Sequence, residues 1–115
     1  MNIEYKKNVL FIYAPSILIG EVIDNFESKI IPLILCINIK KVIISFKKVK
    51  LIDMKGVDSI IKLSNAVNRN KGLLILCDIN SHIKTILNKT DVFDYCYSSN
   101  NYKSSLEVFK CELAG

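Results

Sequence analysis

The residues best suited to chemistry in this sequence are its four cysteines and its single histidine. A zinc site or a dithiol redox centre needs such side chains in clusters, for example as a CxxC pair. The cysteines are instead far apart, at Cys36, Cys77, Cys96 and Cys111, and His82 stands alone on the outer side of a short predicted helix. A free cysteine inside an apolar segment behaves as a small hydrophobic side chain. We therefore expect no metal site, and free thiols in a reducing, cytoplasmic compartment.

The common catalytic motifs are absent from the sequence as well. It contains no GxGxxG or Walker A phosphate loop and no GxSxG nucleophile elbow. A response-regulator receiver would need a pair of acidic residues at the end of its first central strand, where this chain has "FIYAPS". The sequence therefore predicts a protein that is not an enzyme and binds no cofactor.

One junction, "KLIDMKGVDSIIKL" from Lys50 to Leu63, presents a short loop at the start of a helical pattern. Asp53 is placed to cap this helix, because its carboxylate can accept hydrogen bonds from the N–H groups of the first turn. Gly56 permits a sharp turn or the close approach of another backbone segment. Taken alone, the junction is also what an ordinary capped helix looks like.

Alternating strands and helices position this junction. The hydrophobic pattern first predicts two short strands around Lys6 to Asn8 and a helix from about Ile19 to Ile37 that Pro32 should kink or break. It then predicts a strand from Lys41 to Phe46 with a short extended continuation, and a helix from about Met54 to Asn70. The last elements are a strand in "GLLILCDI", a short helix in "NSHIKTILNKT" capped by Asn80 or Ser81, a weaker strand in "VFDYCYS", and a helix in "NYKSSLEVFKCEL". This order predicts a single α/β domain over residues 1–115 with a mostly parallel sheet.

The charge and hydropathy patterns restrict the class of partner. The net charge is +5, but it is nearly all lysine, and the only arginine is Arg69. Base-edge recognition depends mainly on arginine, and the tightest lysine group, Lys47, Lys48 and Lys50, is short. We therefore predict no nucleic-acid binding. The longest apolar run, "IIPLILCINI", is too short to cross a bilayer, and no secretory signal is visible, so we expect a soluble protein without membrane insertion.

Together with its surroundings, the junction resembles the STAS domain, which anti-sigma factor antagonists share with the cytoplasmic tails of sulfate transporters. The family signature is a buried strand, a short gap, and then "D-S-S-G" or "D-S-x-G" opening a helix. The stretch "KVIISFKKVKLIDMKGVDSIIKL" has this layout. The stretches "KGLLILCDINSHIKTILNKTDVFDYCYS" and "YKSSLEVF" resemble the family's later strand, short helix and closing helix. The resemblance implies a sheet of four to five strands with about four helices packed mainly on one side.

In antagonist members of this family, the second serine of the signature is phosphorylated by a partner anti-sigma factor that is a kinase. The resemblance places the family's Asp and Gly on Asp53 and Gly56 and its two serines on Met54 and Lys55. The phospho-acceptor is then missing, and lysine cannot mimic phosphate because its charge is opposite. Ser59, one turn further on, is a weak alternative phosphorylation site. The predicted partner-binding residues are Asp53, Met54, Lys55, Gly56, Asp58, Ser59 and Lys62.

The resemblance implies a non-enzymatic protein-binding module similar to an anti-sigma factor antagonist in bacterial partner switching. Its partner would be a protein, such as an anti-sigma factor with serine kinase activity, and a homodimer remains open. The alternative is a STAS subunit of another assembly, either a stressosome-type scaffold or the cytoplasmic component of a lipid-transport ABC system. Lys55 could meet an acidic patch on a partner or could simply extend into water.

Overall fold

The computed structural model describes residues 2–113 and consists of short strands that alternate with helices. The strands are β1 (Asn2–Lys6), β2 (Val9–Tyr13), β3 (Ile17–Leu18), β4 (Lys41–Ser45), β5 (Leu51–Ile52), β6 (Leu73–Cys77) and β7 (Tyr97–Ser98). The helices are α1 (Glu21–Cys36), α2 (Met54–Arg69), α3 (Ser81–Asn88) and α4 (Tyr102–Glu112), with a 3-10 turn at Val92–Asp94. The predicted order of elements is confirmed, and so is the α/β fold with a mainly parallel sheet.

Five strands form the main sheet in the order β1-β2-β4-β6-β7. The hairpin β1–β2 is antiparallel, and its two-residue turn at Lys7 and Asn8 has positive φ at both positions. The remaining neighbours are parallel. Because the chain crosses the sheet in one direction through right-handed connections, α1, α2 and α3 fall on the same face. A separate two-stranded parallel ribbon, β3–β5, lies beside the main sheet.

Side chains alternate between the two faces of the central strands. On β4, Ile44 packs into the large core beneath α1, α2 and α3, whereas its neighbour Ile43 packs into a smaller cluster with Phe109 of α4. Both isoleucines are fully buried. The sheet is therefore covered by three helices on one face and by one helix on the other, which agrees with the predicted packing mainly on one side.

Two details of the structure differ from the sequence prediction. Helix α1 is continuous through Pro32, so of the predicted kink or break the break is absent. The missing N–H would have bonded the carbonyl of Ser28, and both residues are exposed, so water can satisfy that carbonyl. The predicted weaker strand in "VFDYCYS" is shorter than expected: Val92–Asp94 forms a 3-10 turn, and only Tyr97–Ser98 is a strand that pairs with β6.

Candidate functional site

The start of α2 has the predicted cap. The Asp53 backbone is extended, and its carboxylate oxygen Oδ1 accepts a hydrogen bond of 2.9 Å from the backbone N–H of Gly56. This bond satisfies one of the N–H groups that the first turn of a helix leaves without an intrahelical partner. The cap fixes the direction in which α2 leaves the ribbon, and it holds Met54 and Lys55 outward.

The ribbon β3–β5 supports this helix start from below. Ile17 pairs with Leu51, and Leu18 with Ile52. A Cβ atom on Gly56 would lie 2.5 Å from the carbonyl oxygen of Leu18 and 2.8 Å from Cγ1 of Ile52. Such contacts are far below van der Waals distance, so any larger residue would push α2 away from the ribbon. Glycine is needed here because of close approach, which is one of the two roles that the sequence predicted for it.

Two of the seven predicted partner-binding residues are buried. Gly56 is buried, so it shapes the surface without being part of it. Ser59 is only 1% exposed and faces inward from α2, because it lies one turn after the buried Gly56. Its hydroxyl is therefore covered by the rest of the fold. The other five residues, Asp53, Met54, Lys55, Asp58 and Lys62, are exposed.

Lys55 and Lys62 each face an acidic residue of α1. The Lys55 Nζ atom lies 3.1 Å from Oδ1 of Asp24, and the Lys62 Nζ atom lies 3.6 Å from Oε1 of Glu27. Both side chains of the first pair are more than half exposed, so the pair contributes less than about 1 kcal/mol to stability. Its main effect is on charge, because Asp24 offsets the unfavourable interaction of Lys55 with the helix dipole.

Exposed apolar side chains surround the helix start, and Met54 is the only one of them that the sequence predicted as a binding residue. They lie on the ribbon, on the link between β3 and α1, and on the first turns of α1 and α2, and we call them the apolar tip: Ile17, Ile19, Val22, Leu51 and Met54. Their exposed fractions range from 36% at Ile19 to 60% at Met54. Ile17 and Leu51 are cross-strand partners whose side chains share the outer face of the ribbon. Clustered exposed apolar residues with charged neighbours are typical of protein-binding surfaces.

The remaining candidates for chemistry do not form a reactive centre. Burial raises the pKa of the Cys77 and Cys96 thiols to about 12, and both remain thiols at neutral pH. His82 is exposed on α3. Within residues 2–113, no group of His, Cys, Asp and Glu side chains is arranged to hold a metal ion. Over the same residues, no helix has the length and apolar character needed to span a membrane.

Solved structures of similar fold include a putative anti-sigma factor antagonist from Thermotoga maritima. It is 15% identical over 93% of this chain and 92% of its own, with a TM-score of 0.83. Unphosphorylated SpoIIAA, an anti-sigma factor antagonist from Bacillus, has 13% identity over 93% and 94% of the two chains and a TM-score of 0.73. A chain from a structure of the stressosome is 13% identical over 99% of this chain and 100% of its own, with a TM-score of 0.75.

These likenesses show the fold, since the sequence identities are low. No protein of curated function matches the sequence significantly. The family model described as "STAS domain" matches residues 1–107. That match includes the hairpin, the ribbon, the capped start of α2 and the first half of α4. The chain therefore belongs to the STAS domain family.

Proposed function

We propose that this chain is a non-enzymatic, cytoplasmic module that binds a regulatory protein through the apolar tip and the exposed first turns of α2. The observation that supports this most directly is the apolar tip itself. Burying large apolar side chains such as Leu51 and Met54 against a partner stabilises a complex by about 1.5–3 kcal/mol each before the entropic cost of association is subtracted. We infer that the partner is an anti-sigma factor with serine kinase activity, as in partner switching by antagonist members of the family.

We further propose that Lys55 stands at the family's phospho-acceptor position and that this surface is not switched by phosphorylation there. Lys55 lies in the first turn of α2, two residues after the capping Asp53. Its ion pair with Asp24 is a third possibility beside the two that the sequence left open, namely contact with a partner's acidic patch and simple extension into water. Because the nearby Ser59 is buried, the helix start offers a kinase no accessible serine hydroxyl.

The test is affinity capture from a lysate of the source cells, with and without ATP, followed by mass spectrometry. The wild-type chain should capture an anti-sigma factor kinase in both conditions and should take no phosphate between Asp53 and Lys62. A tip variant, Leu51→Asp with Met54→Asp, should lose the capture. The control is Leu35→Asp, which places a charge on another exposed apolar residue, near the C-terminal end of α1.

Two results would contradict the proposal. Capture that survives in the Leu51→Asp, Met54→Asp variant would exclude the apolar tip as the docking surface. Recovery of stressosome subunits, or of a permease and its ATPase, in place of an anti-sigma factor would favour the alternative assemblies.

A further inference from the structure

The face of the sheet that α4 covers has an open half. Helix α4 packs against β4 and β6 through Phe109, which is buried with Ile43 and Ile75. The hairpin β1–β2 forms the neighbouring edge of the sheet, beyond the strands that α4 covers. Because side chains alternate along a strand, Phe11 and Tyr13 of β2 point to this same open side.

The space between the hairpin and α4 forms a groove. It consists of two adjoining cavities of about 290 and 370 Å³, and Val9 and Tyr102 line both of them. We call it the basic groove and define it by Lys6, Phe11, Tyr13, Lys41, Tyr102 and Lys103. No residue of the apolar tip lines it, so the two surfaces are separate.

The floor of the basic groove is aromatic. The Phe11 ring contacts Tyr13 edge-to-face, with centroids 4.8 Å apart, and contacts Tyr102 in the same manner at 5.0 Å. Tyr102 is 37% exposed, and the other two rings are half-buried. These rings fix one another and have few rotatable bonds, so covering them with an apolar side chain would cost little side-chain entropy.

The rim of the groove is positively charged. Lys6, Lys41 and Lys103 have no acidic side chain within 4 Å among residues 2–113. Of the two acids on the rim, Glu4 and Glu107, the second is already paired with Lys110 at 3.7 Å. The Nζ atom of Lys48 lies over the Tyr13 ring, 6.0 Å from its centroid, and adds a cation near one end of the floor. The free charge at the groove is therefore positive, and it favours an anionic occupant.

The aromatic geometry selects between anionic occupants. A single-stranded nucleic acid needs exposed ring faces on which its bases can stack. Here the rings pack against one another edge-to-face, and one Tyr13 face is below Lys48. We propose that the basic groove is a second docking surface, for an acidic segment of a partner protein that inserts an aromatic or aliphatic side chain between the hairpin and α4. This proposal is independent of the function proposed for the apolar tip.

The experiment measures fluorescence anisotropy of a labelled peptide of about ten residues, Glu and Asp with a central Phe and Leu, added to the full chain. The peptide should bind, and binding should weaken when the salt is raised from about 50 to about 300 mM. The double charge reversal Lys6→Glu, Lys103→Glu should weaken binding by about tenfold or more. The matched control is Lys29→Glu, Lys84→Glu, which reverses two exposed lysines on α1 and α3 and should leave the affinity unchanged.

Two further arms test the aromatic floor and the independence of the surfaces. A control peptide has Gly in place of the central Phe and Leu. Tyr102→Ala should lower the affinity for the original peptide to the affinity that the wild-type chain has for this control peptide. Leu51→Asp, at the apolar tip, should have no effect on peptide binding. The proposal is wrong if the peptide does not bind, if both charge-reversal variants weaken it equally, or if an oligothymidine of the same length binds more tightly than the peptide.

Discussion

The same strands form both faces of the sheet, but three helices cover one face and a single helix covers part of the other. On one face, α1, α2 and α3 enclose the large core, which includes Ile44. On the other face, α4 encloses only a small cluster, which includes Ile43, and leaves the hairpin open. We therefore expect the three-helix face to supply most of the stability, while the α4 face leaves the basic groove uncovered. Paired substitutions on the two faces test this division.

The largest difference should come from truncating neighbouring core residues of β4. Ile44→Ala should lower the free energy of unfolding by about 4–5 kcal/mol, because the tightly packed three-helix face cannot collapse around the cavity. Ile43→Ala should cost about 2–3 kcal/mol, since a single helix can shift to fill the space. Urea unfolding of both variants measures this. Equal losses would show that the two faces are packed equally well.

The second comparison is between buried cysteines on the two faces at alkaline pH. Burial raises the pKa of Cys96 in the large core to about 12. Burial, together with the neighbouring Asp78 carboxylate, raises the pKa of Cys77 under α4 to about 12. A raised folded-state pKa gives stability that is complete below the unfolded pKa, near 9, and is lost as the pH rises towards 12.

The urea midpoint should therefore fall above about pH 9, and Cys96→Ala and Cys77→Ala should each remove part of that fall. Lysine and tyrosine titrate in the same pH range. The quantity to compare between each variant and the parent is therefore the slope of the urea midpoint against pH. If Cys77→Ala left the slope unchanged, the α4 face would already be open to water at that pH.

The third comparison uses the helix caps on the two faces. Asp53 accepts a hydrogen bond from Gly56 at the start of α2, and Asn101 accepts one from Ser104 at the start of α4, each 2.9 Å long. Asp53→Ala and Asn101→Ala should each lower the free energy of unfolding by about 1 kcal/mol. Thermal unfolding should show similar losses, but only Asp53→Ala should weaken partner capture. Equal effects on capture would mean that global stability, not the tip, controls binding.

The last comparison is between two buried serines, whose substitutions should differ in the sign of their effect. Ser105 of α4 bonds the Asn101 carbonyl at 2.9 Å and the Ser99 hydroxyl at 2.6 Å, so Ser105→Ala should cost about 1 kcal/mol. Ser59 Oγ has no hydrogen-bond partner among the described residues. Ser59→Ala should therefore be neutral or stabilising by up to about 1 kcal/mol. Urea unfolding distinguishes the signs, and a loss in Ser59→Ala would reveal a bond that forms in solution.

The sequence predicted the framework well because hydrophobic periodicity and capping are local signals. The helix start at Asp53 and the short helix capped by Asn80 are examples, since each depends on residues within one turn. The burial of Ser59 could not be read from the sequence, because whether a helix position is exposed or buried depends on how α2 is rotated against α1, which is a tertiary property. The continuity of α1 through Pro32 likewise depends on which side of the helix meets water.

Apart from Met54, the apolar tip and the basic groove could not be predicted, because the exposure of an apolar residue depends on which distant segments of the chain pack against it. Ile17 and Leu51 look like ordinary strand residues, and only their pairing in a ribbon at the edge of the core leaves both uncovered. The groove lysines come from the hairpin, β4 and α4, which are distant in sequence. Their common sign becomes visible only after folding.

The ribbon makes the apolar tip a discontinuous epitope, because strands from distant parts of the chain must meet before the surface exists. A synthetic peptide that copies Lys50 to Leu63 would have the signature but lack Ile17, Ile19 and Val22. It should therefore be a poor competitor for the partner. Under the proposed function, an unfolded copy of the protein would lose the surface and could not bind, so binding there would also report that the domain is folded.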